Sequence, residues 1–355
     1  MFLMDEIVTK NVDKIRGYKA VCAKLGFVMC SYFICRILAG VIILALSQIK
    51  VLTGNTAVLY SIQSLILILM VYGVPTLFAM FLFKSFDLYS KSGGRLRKLY
   101  EKPKRLAKAL GNFPAMYGLG FGVNLLTILV FYLIRRISQQ LDASVELQRF
   151  FEPITFEPPK DLVSAFIMVF LFVVVAAVVE EFFVRGIMYD ALKPYGAGTA
   201  IIISSILFGL MHGSIHMLFY TTILGFALGY IRYATDSLLV VTVLHAMINS
   251  VAAGLLFILS LSEIADGNNA LINSLSEVYI IFMFALIVLG IVAIIKKIPV
   301  IKRYKITNDW DEVSPKKKMA MFFISVPVIL MLIFAIDEHA GNMLLNIIMG
   351  GFINA

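Results

Sequence analysis

Long apolar runs recur along this chain, each near the length needed to cross a bilayer and each closed by a short polar stretch. They predict spans at about 25–46, 57–83, 115–134, 162–188, 199–212, 215–231, 238–261, 278–295 and 319–336. A final apolar stretch, 340–355, is too short to cross and is expected to lie in the interface or against the bundle. The pattern predicts an all-α, polytopic transmembrane helix bundle of about eight or nine spans.

Charge adds the orientation. Basic residues gather at 84–112 and 296–318, and both loops are expected on the cytoplasmic side. Residues 262–276 hold Glu263 and Asp266 but no basic residue, as an external loop should. The connection 135–160 is expected to be external too. The N-terminus is then cytoplasmic, and Lys10, Lys14, Arg16 and Lys19 agree with that. The organisation reads as a basic N-terminal segment (1–23), N-terminal spans (24–134), a polar-motif core (161–262) and C-terminal spans with an apolar tail (277–355).

Composition supports a membrane protein. The chain is 60% hydrophobic and 15% charged, against roughly half apolar and a quarter charged in a soluble domain. The net charge of +9 is therefore a topology signal and not a nucleic-acid one. Anionic lipid is the expected contact of the basic loops. The first apolar run is too long for a cleavable signal segment. Cys22, Cys30 and Cys35 lack metal-ligand spacing and imply no disulfide framework.

The candidate chemistry starts at Glu180-Glu181, deep in an apolar run. A carboxylate at mid-bilayer costs roughly 2.5–3.5 kcal/mol, so two in sequence suggest a functional site. Counting ~1.5 Å per residue from the predicted cytoplasmic ends puts Glu180 and His245 about 12 Å deep and His212 about 20 Å deep. Three helices thus bring Glu, His and His to similar depth. Glu181 and Arg185 are four apart, so they can pair and neutralise a buried charge. Glu180 is turned about 100° away and can face the interior. Phe208 and His212 share the same spacing, as do His245 and Asn249, which can aim at one point.

These residue types suit hydrolysis. A desolvated Glu can serve as general base towards water, and a His can hold that water or protonate a leaving amine. A His with an Asn amide can donate to an oxyanion. Glu180, His212 and His245 are equally donors of the kind that hold Zn²⁺, though no HExxH is present. The competing structural readings are a polar network tying helices together, an ion pair at Glu181–Arg185, and close packing at Gly225 and Gly229. His216 is expected at the external interface, His339 in solvent, and Arg36 to snorkel or pair with a neighbour. A transporter would show paired half-chain repeats, and none is evident.

With these residues in view, the chain resembles the CAAX protease and bacteriocin-processing (CPBP, or Abi) family of intramembrane proteases, which includes the type II CAAX prenyl endopeptidase. The family pattern EExxxR, FxxxH, HxxxN reads here Glu180-Glu181-Phe182-Phe183-Val184-Arg185, Phe208-Gly209-Leu210-Met211-His212 and His245-Ala246-Met247-Ile248-Asn249. The resemblance covers about residues 161–260. It implies an intramembrane endopeptidase acting on a membrane-associated peptide or protein, with Glu180 activating water, His212 assisting, and His245 and Asn249 stabilising the oxyanion. Glu181, Arg185 and Phe208 would support them. One divalent metal, or a metal-free glutamate mechanism, is the implied pair of alternatives. The site is expected to open towards the cytoplasm. Substrates implied are prenylated CAAX proteins, peptide precursors or bacteriocins. The other implied role is a non-catalytic scaffold or a bacteriocin self-immunity protein. The sequence carries no signal of oligomeric state.

Overall fold

The computed structural model describes residues 2–49, 55–84, 106–141, 158–265, 269–303 and 312–339, with a few isolated positions between them. Among these the regular structure is helical throughout. Helix α1 is Phe2–Leu46, α2 Thr56–Leu82, α3 Leu106–Gln140 and α4 Leu162–Tyr195. Then follow α5 (Ala197–Leu210), α6 (Ile215–Thr235), α7 (Leu238–Ile264), α8 (Ala270–Arg303), α9 (Pro315–Phe323) and α10 (Val326–His339).

Seven of these helices are long and apolar enough to cross a membrane, and α9 with α10 make an eighth if that pair, bent by 71°, is one span. The expected ninth is α5. It has 14 residues, so it rises only about 21 Å and ends short of the opposite face. The expected N-terminal segment is no separate element, since α1 runs unbroken through residue 23 and buries Tyr18 and Cys22. The 340–355 tail and most of the 84–112 and 135–160 loops lie outside the described residues.

Two ends of the bundle are tied by different chemistry. At one end, Arg232 bonds Asp236 (2.8 Å) and Asp190 (3.3 Å), and Lys193 bonds Asp236 (3.2 Å). There too, buried Lys318 donates to the Trp310 carbonyl (2.6 Å), while the Tyr18 hydroxyl donates to the carbonyl of Lys318 (3.0 Å). Lys297 donates to Asn112 at the same end. At the other end, Asp161 caps α4 by accepting from the Ser164 amide (2.8 Å) and hydroxyl (2.7 Å). The Ser164 hydroxyl is the main cause that holds the Asp161 carboxyl below its ordinary range. Asp161 also accepts from Thr56 at the start of α2 (3.0 Å), so α2 and α4 begin level and run parallel.

Small residues set the closest helix contacts. Gly118 of α3 faces Gly290 of α8, and a Cβ on Gly118 would stand 2.5 Å from the Gly290 Cα. Gly225 and Gly229 of α6 face Ser205 and Ile201 of α5, as their spacing predicts. Replacing Gly118 by Val should force α3 from α8 at a cost of about 1–3 kcal/mol. A lower melting temperature in detergent, with helical circular dichroism retained below it, is the expected reading.

Candidate active site

Helix α4 carries Glu180 and Glu181 between two π-wound turns, Leu171–Val175 and Phe182–Met188. A third, Leu67–Gly73, lies in α2. Such turns admit one residue more than an α-helix and recur at functional sites. The turns Leu67–Gly73 and Leu171–Val175 border one cavity of about 430 Å³, and Phe182–Met188 lies buried just beyond Glu180. Its walls are Tyr32 and Arg36 of α1, a face of α2 from Tyr60 to Tyr72, Leu171 to Glu180 of α4, and His245 and Asn249 of α7. Its floor is Met211 and His212, at the turn after α5, with Met217 and Tyr220 of α6.

The two carboxylates have different surroundings. Glu181 is fully buried and accepts from Arg185 Nη1 at 2.9 Å and from His245 Nδ1 at 2.8 Å. Arg185 is also fully buried; it donates to the Gly225 carbonyl of α6 at 3.2 Å, and its guanidinium lies 4.3 Å from the Phe208 ring centre. One ion pair therefore ties α4 to α5, α6 and α7. Glu180 lines the cavity instead. Its Oε1 accepts from the Tyr72 hydroxyl at 2.8 Å, and its Oε2 lies 3.9 Å from His245 Nε2.

The acceptors fix the tautomers. The carboxylate on His245 Nδ1 and the Phe208 carbonyl on His212 Nδ1 (2.8 Å) can only accept, so each ring places its proton on Nδ1. In the neutral imidazole each Nε2 then carries a lone pair. The 3.9 Å between His245 Nε2 and Glu180 Oε2 is too long for a direct hydrogen bond and matches the room a bridging water requires. Phe208 stacks edge-on against both His212 (4.9 Å) and His245 (5.8 Å) and keeps both rings in place. Asn249 Nδ2 donates to the Phe172 carbonyl in the π-wound turn (2.9 Å), which leaves its second N–H for another acceptor.

Glu180, His212, His245 and Asn249 thus share one cavity, while Glu181, Arg185 and Phe208 stand behind them. His216 departs from expectation. It is buried, with its ring edge-on to Phe131 at 4.6 Å, because short α5 starts α6 inside the bundle. Arg36 does not snorkel; it donates to the Met211 carbonyl (2.6 Å) and Tyr32 hydroxyl (3.4 Å). The side chain of His339 lies outside the described residues. Tyr32, Tyr72 and Tyr220 escaped the sequence reading. The signal available for α2 was the spacing of Tyr60, Gln63, Ser64, Leu67, Ile68 and Val71, one helix face inside an apolar run.

Among the described residues, no three His, Cys, Asp or Glu side chains are grouped as a metal ion requires. Glu180, His212 and His245 as placed do not make that set, and the chemistry below uses none.

Residues 162–251 match the family model described as "Type II CAAX prenyl endopeptidase Rce1-like". No curated protein and no solved structure matches the chain.

Removing one partner of a buried ion pair strands the other, at a cost of about 3–5 kcal/mol. Arg185→Ala should therefore lower the unfolding temperature in detergent more than Gly118→Val does. Arg185→Lys should recover only part of the loss, because one ammonium cannot reach both Glu181 and Gly225.

Proposed function

We propose, from the match of residues 162–251 to the type II CAAX prenyl endopeptidase family model, that this multi-pass membrane protein hydrolyses a peptide bond of a membrane-associated substrate inside the bilayer. The supporting observation is the cavity-facing pair of lone pairs, Glu180 Oε2 and His245 Nε2, 3.9 Å apart. A water between them would give one proton to Glu180 as its oxygen forms a bond to the substrate carbonyl carbon. The oxyanion would accept from the second N–H of Asn249. Collapse breaks the C–N bond, and the proton on Glu180 passes to the leaving nitrogen, with His212 Nε2 holding that amine in line. Glu181 holds His245 in the tautomer the step needs, as the carboxylate of a Ser-His-Asp triad does.

The low dielectric of the site strengthens each of these contacts. Tyr72 occupies Oε1 of Glu180 and so leaves Oε2 as the oxygen facing His245. The substrate is a lipidated or otherwise membrane-bound peptide, since the cavity is reached from within an apolar bundle.

The test is cleavage of a fluorogenic, lipidated peptide library by the purified protein. Glu180→Gln should lower kcat by about 10²–10⁴-fold, the usual contribution of a general base, while its melting temperature stays near that of the wild type. Full complementation of a deletion strain by Glu180→Gln would instead support a non-catalytic scaffold.

The metal-free reading makes a separate prediction. Cleavage by wild-type protein should survive exhaustive chelation, and mass spectrometry should find less than one transition metal per chain. Loss of activity on chelation, restored by Zn²⁺, would overturn it.

A further inference from the structure

We infer that the cavity opens away from the cytoplasm, so that the enzyme takes an extended peptide segment presented at the non-cytoplasmic face. The inference rests on the proteolytic reading for the word substrate, but its geometry is independent of it.

The bond between Thr56 and Asp161 sets a common origin for α2 and α4. At ~1.5 Å per residue, Tyr60 lies about 6 Å and Tyr72 about 24 Å from it; on α4, Leu171 lies about 15 Å and Glu180 about 28 Å. The cavity therefore runs from Glu180 towards the Thr56–Asp161 end. Short α5 explains why. It rises from the Lys193 end and stops at His212, leaving the space above its turn unfilled, and the cavity occupies that space.

Beyond Glu180, in the opposite direction, the bundle is closed. Val184 and Met188 of α4, Ile203 and Leu207 of α5, and Val241 and Leu244 of α7 are each fully buried. Towards the Thr56 end the lining loosens, with Tyr60 and Gln63 partly exposed. The closed end is also the basic one. Lys193, Arg232, Lys297 and Lys318 lie there, and the basic stretches 84–112 and 296–318 join helices at that end; the other end has Arg135, Arg136 and Lys160, while the last turn of α7 bears Glu263 and residues 262–276 hold no basic residue. The positive-inside rule makes the closed end cytoplasmic.

The length fits a peptide. From Tyr60 to Tyr72 is about 18 Å along α2, and an extended chain rises ~3.3 Å per residue, so about five residues fit. Arg36 is the one Lys or Arg in the described lining. A cation at that wall favours a peptide with a carboxylate or a carbonyl-rich end there.

The test is side-specific thiol labelling. Cys22, Cys30 and Cys35 are replaced by Ala, and Gln63→Cys, Lys316→Cys and Glu263→Cys are introduced singly. Each is treated with a membrane-impermeant maleimide in right-side-out and inside-out vesicles. Lys316→Cys should label only in inside-out vesicles, and Glu263→Cys and Gln63→Cys only in right-side-out ones. Labelling of Gln63→Cys from the Lys316 side, from neither side, or with Lys316 itself external would overturn the inference. If the triple-Ala background does not fold, wild-type protein in sealed vesicles is given, from each side, a lipidated peptide whose charged sequence cannot cross the bilayer, and cleavage only from the non-cytoplasmic side is expected. Cleavage confined to the cytoplasmic side overturns the inference. Loss of all cleavage in Glu180→Gln, with Gln63→Cys labelling unchanged, keeps the two readings apart.

Discussion

A buried carboxylate in a bilayer must be neutralised or it will not stay charged, and Glu181 sets the terms on which this bundle closes. It shares one oxygen between Arg185 and His245. Arg185 in turn needs the Gly225 carbonyl and the face of Phe208. Four helices meet because one charge requires them. The geometry of the reactive residues follows: His245 is oriented by Glu181, and His212 by the main chain of the same helix turn whose ring supports Arg185. Apolar packing alone gives no such direction in lipid, since lipid tails solvate Leu and Val as well as neighbouring helices do.

That arrangement separates two adjacent carboxylates into two tasks. Glu181 is consumed by structure, with no exposed surface. Glu180, one residue and about 100° away, has Tyr72 on one oxygen and open cavity at the other. The separation needs no difference in side-chain chemistry. It comes from helix geometry and from what each face meets.

Much of this was legible in the sequence. The spans followed from apolar length, and the Glu181–Arg185 pair and Phe208–His212 contact from four-residue spacing. What was hidden depended on length and on partners far away in the chain. Short α5 was read as a full crossing because its apolar run continues into the turn, so His216 was misplaced at the interface. Tyr72 could not be linked to Glu180, 108 residues later, because no local pattern encodes a contact between helices. Arg36 pairs with a neighbour, Tyr32, as one of its two readings expected, but its second acceptor, the Met211 carbonyl, was equally invisible, since every residue carries one.

The π-wound turns have a consequence for register. Each holds one residue beyond the α-helical count, and Leu171–Val175 lies just before Glu180. If that turn rewound as an ordinary helix with its residue count unchanged, everything after it would rotate by about 100°. Glu180 would leave the cavity, and Glu181 and Arg185, which turn together, would part from His245 and the Gly225 carbonyl. The spacing within the motifs would be untouched, and so would the hydropathy of the span. A chain of this kind could keep every recognisable residue and lose the site through the winding of one apolar turn.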